Sequence, residues 1–203
     1  MKLYDAARAP NPRRVRVFLK EKGLTVETVT VDMGAMGHRS PEITAMNPLQ
    51  QLPLLEFEDG SVLTESVAIC RYFEELHPDP PLFGSGARER AFVEMWNRRV
   101  ELNLMASVVA AFRHLHPGMS AWEVPQVAKW GEANKPKALA FLALLDKELE
   151  GRPFIAGENY SIADITAMIA FDFMKVARIA CPEEHENVWR WYRSVSARPS
   201  ASA

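Results

Sequence analysis

The sequence predicts an α/β domain followed by an all-α domain, and three observations carry that reading. Strand-like and helix-like periodicities alternate over residues 1–76. A segment with three prolines and two glycines follows at 77–86, where neither helix nor central strand survives. From 88 onward the apolar residues recur at helical spacing alone. The expected divisions are 1–77 for the first domain, 78–87 for a linker and 88–203 for the helical domain.

The first domain is expected to run β-α-β-α-β-β-α. Residues 2–5 make a short strand containing Tyr4. A helix follows from Asn11 to Lys22, with Asn11 as N-cap, Pro12 at the first helical position, and Val15, Phe18 and Leu19 as its apolar stripe. Gly23 ends it. The β-branched alternation of 25–31 is a strand, and 41–46 holds a turn or two of helix. Strands at 53–57 and 61–63 flank the turn Glu58-Asp59-Gly60-Ser61. A helix over 65–76 places Ile69, Tyr72, Phe73 and Leu76 at helical spacing.

The second domain opens with a long helix at 88–116. One stripe holds Val93, Trp96, Val100 and Leu104; a second holds Leu102, Met105, Val109 and Phe112. Two apolar faces imply packing on both sides, or one face left for a ligand. A helix over 122–150 buries Ala138, Leu142, Leu145 and Leu149, with Pro125 and Pro136 bending or dividing it. Helices at 162–178 and 184–196 complete the domain. Ser161 and Asp164 form a capping box at the start of the third, with Tyr160 and Ile165 as its hydrophobic staple. Its buried stripe is Ile162, Ile165, Ile169, Phe173 and Val176.

Composition narrows the class. The 203 residues are 48% apolar and 25% charged, which is globular rather than disordered. A net charge of −2 gives no global basic excess for nucleic acid. The two cysteines, Cys70 and Cys181, lie among apolar neighbours and form no Cys-x-x-Cys motif, so reduced thiols in a cytoplasmic setting are expected. Neither a signal peptide nor a membrane span is expected.

Three blocks then carry a resemblance that spans essentially the whole chain. They are Ala9-Pro10-Asn11-Pro12-Arg13-Arg14-Val15-Arg16; Asn47-Pro48-Leu49-Gln50-Gln51-Leu52-Pro53-Leu54-Leu55 with Leu63-Thr64-Glu65-Ser66-Val67-Ala68-Ile69; and Ala156-Gly157-Glu158-Asn159-Tyr160-Ser161-Ile162-Ala163-Asp164. In this order and at these separations the chain resembles the cytosolic glutathione transferases. The resemblance implies a thioredoxin-like N-terminal domain plus an all-α C-terminal domain, the glutathione transferase fold. It implies glutathione as co-substrate, no metal, a homodimer, and a detoxifying transfer to a small hydrophobic electrophile. The interface would involve Trp96–Arg99 and the helix from Glu65.

The resemblance also implies a cis Leu52–Pro53 bond, with the Leu52 amide and carbonyl facing the cysteinyl unit of glutathione as an added strand would. Gln51 would offer an amide beside it. Glu65 and Ser66 sit at a helix start, where unpaired amides and the positive dipole end suit the γ-glutamyl carboxylate. Ser66 would donate to it and Glu65 would hold the ammonium; the plainer reading is a cap and a dipole partner. His38 and Arg39 lie in a stretch that in some classes of the family meets the glycyl carboxylate, though they read equally as plain surface.

The reaction would be thiolate attack. The family usually supplies the sulfur's hydrogen-bond donor from Tyr, Ser or Cys; here Asn11 stands at or next to that position, with Tyr4 as rival. Asn11 is at the same time a good helix cap. Arg13, Arg14 and Arg16 add positive potential. An Asn leaves room for glutathione-dependent disulfide or peroxide reduction, or for a member of the fold that binds without turnover. The electrophile would meet Met105, Phe112 and His116, for which ordinary packing is the plainer reading.

Overall fold

The computed structural model describes residues 1–203, and the chain divides into two compact units. Unit 1 comprises Met1–Leu82 with Pro199–Ala203, and unit 2 comprises Phe83–Arg198.

Unit 1 is built on a four-stranded sheet in the order β2-β1-β3-β4. β1 (Lys2–Asp5) pairs in parallel with β2 (Glu27–Thr30), and α1 (Pro10–Glu21) supplies the crossover such a pair needs. β3 (Leu54–Glu56) runs antiparallel to both β1 and β4 (Val62–Leu63). The β3–β4 turn closes with the Phe57 amide on the Ser61 carbonyl at 2.9 Å, and Gly60 takes the φ of +81° that a side chain would resist. Period-two alternation divides the sheet's faces. Tyr4 and Leu54, opposite each other, join Ala6, Ile43 and Leu52 in one buried cluster, with Ile43 from α2 (Pro41–Met46). Leu3 and Leu55, also opposite each other and buried, turn to the other face.

α1 begins two residues earlier than the sequence suggested, at Pro10 rather than Pro12. Ala9 is the flanking residue, extended at φ −86° and ψ 137°, and makes no side-chain cap. Asn11 therefore stands inside the first turn and caps nothing. The cause is Pro10, which suits the first helical position and pushes its predecessor out of the helical region. α3 (Ser66–Leu76) begins one residue later than expected, with Glu65 just outside it. Residues 199–203, expected in the helical domain, belong to unit 1. They form a 3₁₀ turn on α1, where Arg13 donates to the Ala201 carbonyl at 2.8 Å and Ser200 bonds Glu21.

Unit 2 is helical. α4 (Gly86–Arg99) passes through a π-helical turn (Val100–Met105) into α5 (Ala106–Leu115). Val93, Trp96, Val100 and Leu104 are buried as the first stripe required, whereas Leu102 of the second stripe is exposed. α6 (Ala128–Glu148) starts only after Pro125 and accommodates Pro136 internally. α7 (Ile162–Met174) is buried almost throughout, and α8 (Glu186–Ser196) follows. α7 ends four residues short of the expected 178, so Val176 lies past its end and is exposed.

The Ser161–Asp164 box forms. Asp164 Oδ2 accepts from the Ser161 amide at 3.0 Å, and the Ser161 hydroxyl accepts from the Ala163 amide at 3.3 Å. Asp164 does more than cap. Its Oδ1 also accepts from the Ile155 amide at 2.9 Å and from Trp191 Nε1 at 2.8 Å, tying α7 to α8 and to the preceding loop. Burial nevertheless pushes its carboxyl up to about 6 against those donors.

Candidate functional site

The candidate site in unit 1 has three parts: the loop before β3, the start of α3, and the start of α1. The loop is held by Asn47, which is buried. Its Nδ2 donates to the Gln51 carbonyl at 3.0 Å and its Oδ1 accepts from the Leu49 amide at 3.1 Å. Gln50, at a φ of +55°, is tied through its side-chain amide to Thr44 Oγ1 at 3.0 Å. These bonds deliver the chain to Leu52–Pro53, whose peptide bond is cis. The Leu52 side chain is sunk in the core cluster. Gln51 next to it is exposed.

At α3, Glu65 adopts φ +66° and ψ 115°, a region that a non-glycine residue rarely enters and that costs on the order of 1–3 kcal/mol. Its side chain is exposed and accepts no hydrogen bond from the helix's first amides. Ser66 is the first helical residue and is buried. Its hydroxyl accepts from Arg14 Nη1 at 2.7 Å. That contact joins α1 to the amino end of α3.

At α1, Asn11 is exposed and sits one turn before Arg14. Pro10 and Pro12 carry no amide hydrogen, so the first turn offers few main-chain donors and the Asn11 carboxamide adds one. Tyr4 is no rival. Its hydroxyl donates to Glu56 at 3.0 Å, and burial followed by the Glu56 carboxylate raises its pKa. The three arginines differ in fate. Arg14 is 1% exposed, Arg16 pairs with Asp5 at 2.6 Å, and Arg13 serves the 199–203 turn. Sequence reasoning counted Arg14 only as diffuse positive potential. A sign was available in its place on the Val15–Phe18 side of an amphipathic helix.

The His38–Arg39 pair occupies a 3₁₀ turn (Gly37–Arg39) and splits in burial. His38 is 4% exposed, and burial and then Arg39 lower its pKa; Arg39 is exposed.

In unit 2, Phe112 and His116 lie side by side with ring centroids 5.0 Å apart, and Phe112 also meets Phe173 edge-on at 5.0 Å. His116 Nδ1 accepts from the Gly118 amide at 3.1 Å. Met105 is 5% exposed and belongs largely to the unit's core. Trp96 is also buried, with the Arg99 and Arg152 guanidinium groups 4.8 and 5.2 Å from its ring. An open concavity of about 700 Å³ lined by Glu183, Glu186, Asn187, Trp189, Arg190 and Arg193 contains none of the residues named from the sequence. Neither cysteine supplies a ready thiolate. Cys70 is fully buried and its pKa raised by that burial, and Cys181 is pushed up to about 11. No group of three or more His, Cys, Asp or Glu side chains is placed to hold a metal, and no helix is long and apolar enough to cross a membrane.

Comparison with known proteins agrees in both units. Residues 1–75 match the model of the glutathione S-transferase N-terminal domain, and residues 101–199 that of the C-terminal domain. Glutathione S-transferase 2 of Saccharomyces cerevisiae is 35% identical over 203 residues, covering 98% of this chain and 87% of that protein. The crystal structure of Gtt2 from the same yeast aligns with a TM-score of 0.94 over 100% of this chain and 99% of its own, at 35% identity. A class Gtt2 glutathione S-transferase of Vibrio parahaemolyticus aligns with a TM-score of 0.87 and 39% identity over 98% of this chain and 95% of its own.

Proposed function

The chain belongs to the glutathione S-transferase family, and from that premise we propose that it is a glutathione transferase that activates the glutathione thiolate for attack on a small hydrophobic electrophile. The observation that carries this reading is the start of α3: a strained, exposed Glu65 beside a buried, oriented Ser66 at the positive end of a helix. An anionic group with an adjacent ammonium suits that place. The γ-glutamyl end of glutathione is such a group. Its carboxylate would accept from Ser66 and its ammonium would meet Glu65. Gln51 and the Leu52 main chain before Pro53 would pair with the cysteinyl unit. Arg39, with His38 behind it, would take the glycyl carboxylate.

The thiol must then be ionised. A free thiol titrates near ~8.5, and each unit of depression needs about 1.4 kcal/mol. One directed hydrogen bond at a helix amino end supplies about one such unit. Asn11 is the donor in this proposal, free of the capping duty the sequence gave it. Burial raises the pKa of both cysteines, and the reacting sulfur in this proposal is that of glutathione. The second substrate would be met by Phe112 and His116, with Met105 behind them. A cytoplasmic homodimer with a detoxifying role completes the proposal. The dimer surface would use α3 and the exposed Arg98 and Arg99; Trp96 is already covered within its own unit.

The test is glutathione calorimetry followed by turnover of a chloronitrobenzene. Micromolar to millimolar binding with conjugation supports the proposal. Binding with reduction of disulfides or peroxides and no conjugation moves the chain to the alternative activity. Absence of binding rejects both.

A further inference from the structure

The structure assigns Arg14 a role beyond charge: we propose that it is a positioning residue that holds the Ser66 hydroxyl with its proton turned toward the γ-glutamyl carboxylate. This rests on the glutathione reading above and concerns the same subsite. A guanidinium has donors only and stays charged at any working pH. At 2.7 Å from Ser66 Oγ, Arg14 Nη1 therefore fills an acceptor position on that oxygen. The hydroxyl's single proton is left to point away from the guanidinium, and in this proposal it points to the ligand carboxylate at the amino end of α3. A charged donor behind the oxygen also makes the hydroxyl a stronger donor in front.

Both partners are built for precision rather than for solvation. Arg14 is 1% exposed and Ser66 is 4% exposed. They lie at the end of two matched ladders, each spaced by four residues: Arg14 and Phe18 on α1 with Lys22 just past its end, and Ser66, Cys70 and Glu74 on α3. The far rung is the Lys22–Glu74 ion pair, with Lys22 also donating to the His77 carbonyl at 2.8 Å. The middle positions, Phe18 and Cys70, are both fully buried. The ladders thus place two cations against one carboxylate, with one cation at the anion-receiving end of α3. Asn11 is three residues before Arg14 on the same helix, so α1 would orient the ligand at both its sulfur and its γ-glutamyl end.

The test is calorimetry and steady-state kinetics on the full chain carrying Arg14→Gln, Arg14→Lys, Ser66→Ala and the Arg14→Gln/Ser66→Ala pair. Two ligands are used: reduced glutathione, and 4-aminobutyryl-cysteinyl-glycine, which lacks the γ-glutamyl α-carboxylate. Arg14→Gln should raise the glutathione Kd about tenfold, with kcat at saturating glutathione within about twofold, and Arg14→Lys should recover part of the loss. The pair should bind no more than about twofold more weakly than Ser66→Ala alone. The truncated ligand should bind all folded variants alike. A glutathione Kd within twofold of wild type for folded Arg14→Gln, or additive losses in the pair, overturns the role. If Arg14→Gln does not fold, Arg14→Lys with the two ligands decides: an equal loss for both ligands overturns it, and a loss confined to glutathione supports it. Wild-type protein that binds neither ligand sinks the glutathione reading itself.

Discussion

Asn11 shows how one residue's meaning depends on a boundary. As an N-cap it would have been a folding device worth about 1 kcal/mol. Pro10 moves the boundary so that Asn11 is exposed within the first turn and its carboxamide is free for a ligand. Asn11→Ala should therefore change stability by less than about 0.5 kcal/mol while lowering kcat about tenfold or more. Urea unfolding and conjugation kinetics measure the two, and a stability loss near 1 kcal/mol with unchanged kcat would restore the cap. Asn47 is the opposite case: it touches no ligand in this proposal, yet its two bonds fix the loop that ends at Leu52. Asn47→Ala should cost on the order of 2 kcal/mol and weaken glutathione binding severalfold, read by thermal unfolding and calorimetry. The turn from its Oδ1 to the Leu49 amide is local to the motif Asn47-Pro48-Leu49, but its burial and its bond to the Gln51 carbonyl depend on where the chain turns afterwards.

At the scale of elements, α1 is covered on one side by α3 and on another by the 3₁₀ turn of Pro199–Ser202. Removing residues 199–203 uncovers Arg13, Lys20 and Glu21, which bond Ala201, Ser202 and Ser200. The truncated protein should unfold at about 1–2 kcal/mol lower free energy, with faster hydrogen exchange in α1. Exchange rates unchanged in α1 would reject this. The α7 cap gives a pH-dependent counterpart. Asp164 titrates near 6 in the folded chain and near 3.8 unfolded. Between these values the folded chain keeps a proton that the unfolded chain has released. The site's contribution is thus fully present below pH ~4 and lost as pH rises through ~6. Comparison with Asp164→Asn should show the stability gap narrowing across that window by on the order of 3 kcal/mol, and a widening gap would reverse the sign. The capping box itself was legible as Ser-x-x-Asp. Its bonds to Ile155 and Trp191 were not, since they join residues 9 and 27 positions away in the chain.

For the whole molecule, binding and stability are linked. Glutathione at about one hundred times its Kd should stabilise the chain by roughly 2.7 kcal/mol and raise Tm by about 5–10 °C. The Arg14→Gln variant should need more ligand for the same shift, which scanning calorimetry across a concentration series would reveal. The two-unit organisation and the order of strands and helices followed from periodicity and from the breaker-rich segment at 77–86. Those signals are local, so they survive in the sequence. The π-helical turn at Val100–Met105 left no such mark, because its residues fit an ordinary helix equally well. The same holds for the early end of α7, which Val176 concealed by continuing the apolar stripe.

The sequence by itself determined the fold class, the sheet's element order, the α7 cap and the family, because hydrophobic period, turn residues and linear motifs are properties of neighbouring positions. Only the tertiary structure decided that Tyr4 faces Glu56, that Asn11 caps nothing, that residues 199–203 join the first unit, and that Arg14 is buried against Ser66. Each of those depends on which distant group lies within hydrogen-bond reach once the apolar faces are buried. Linear spacing carries no record of that distance.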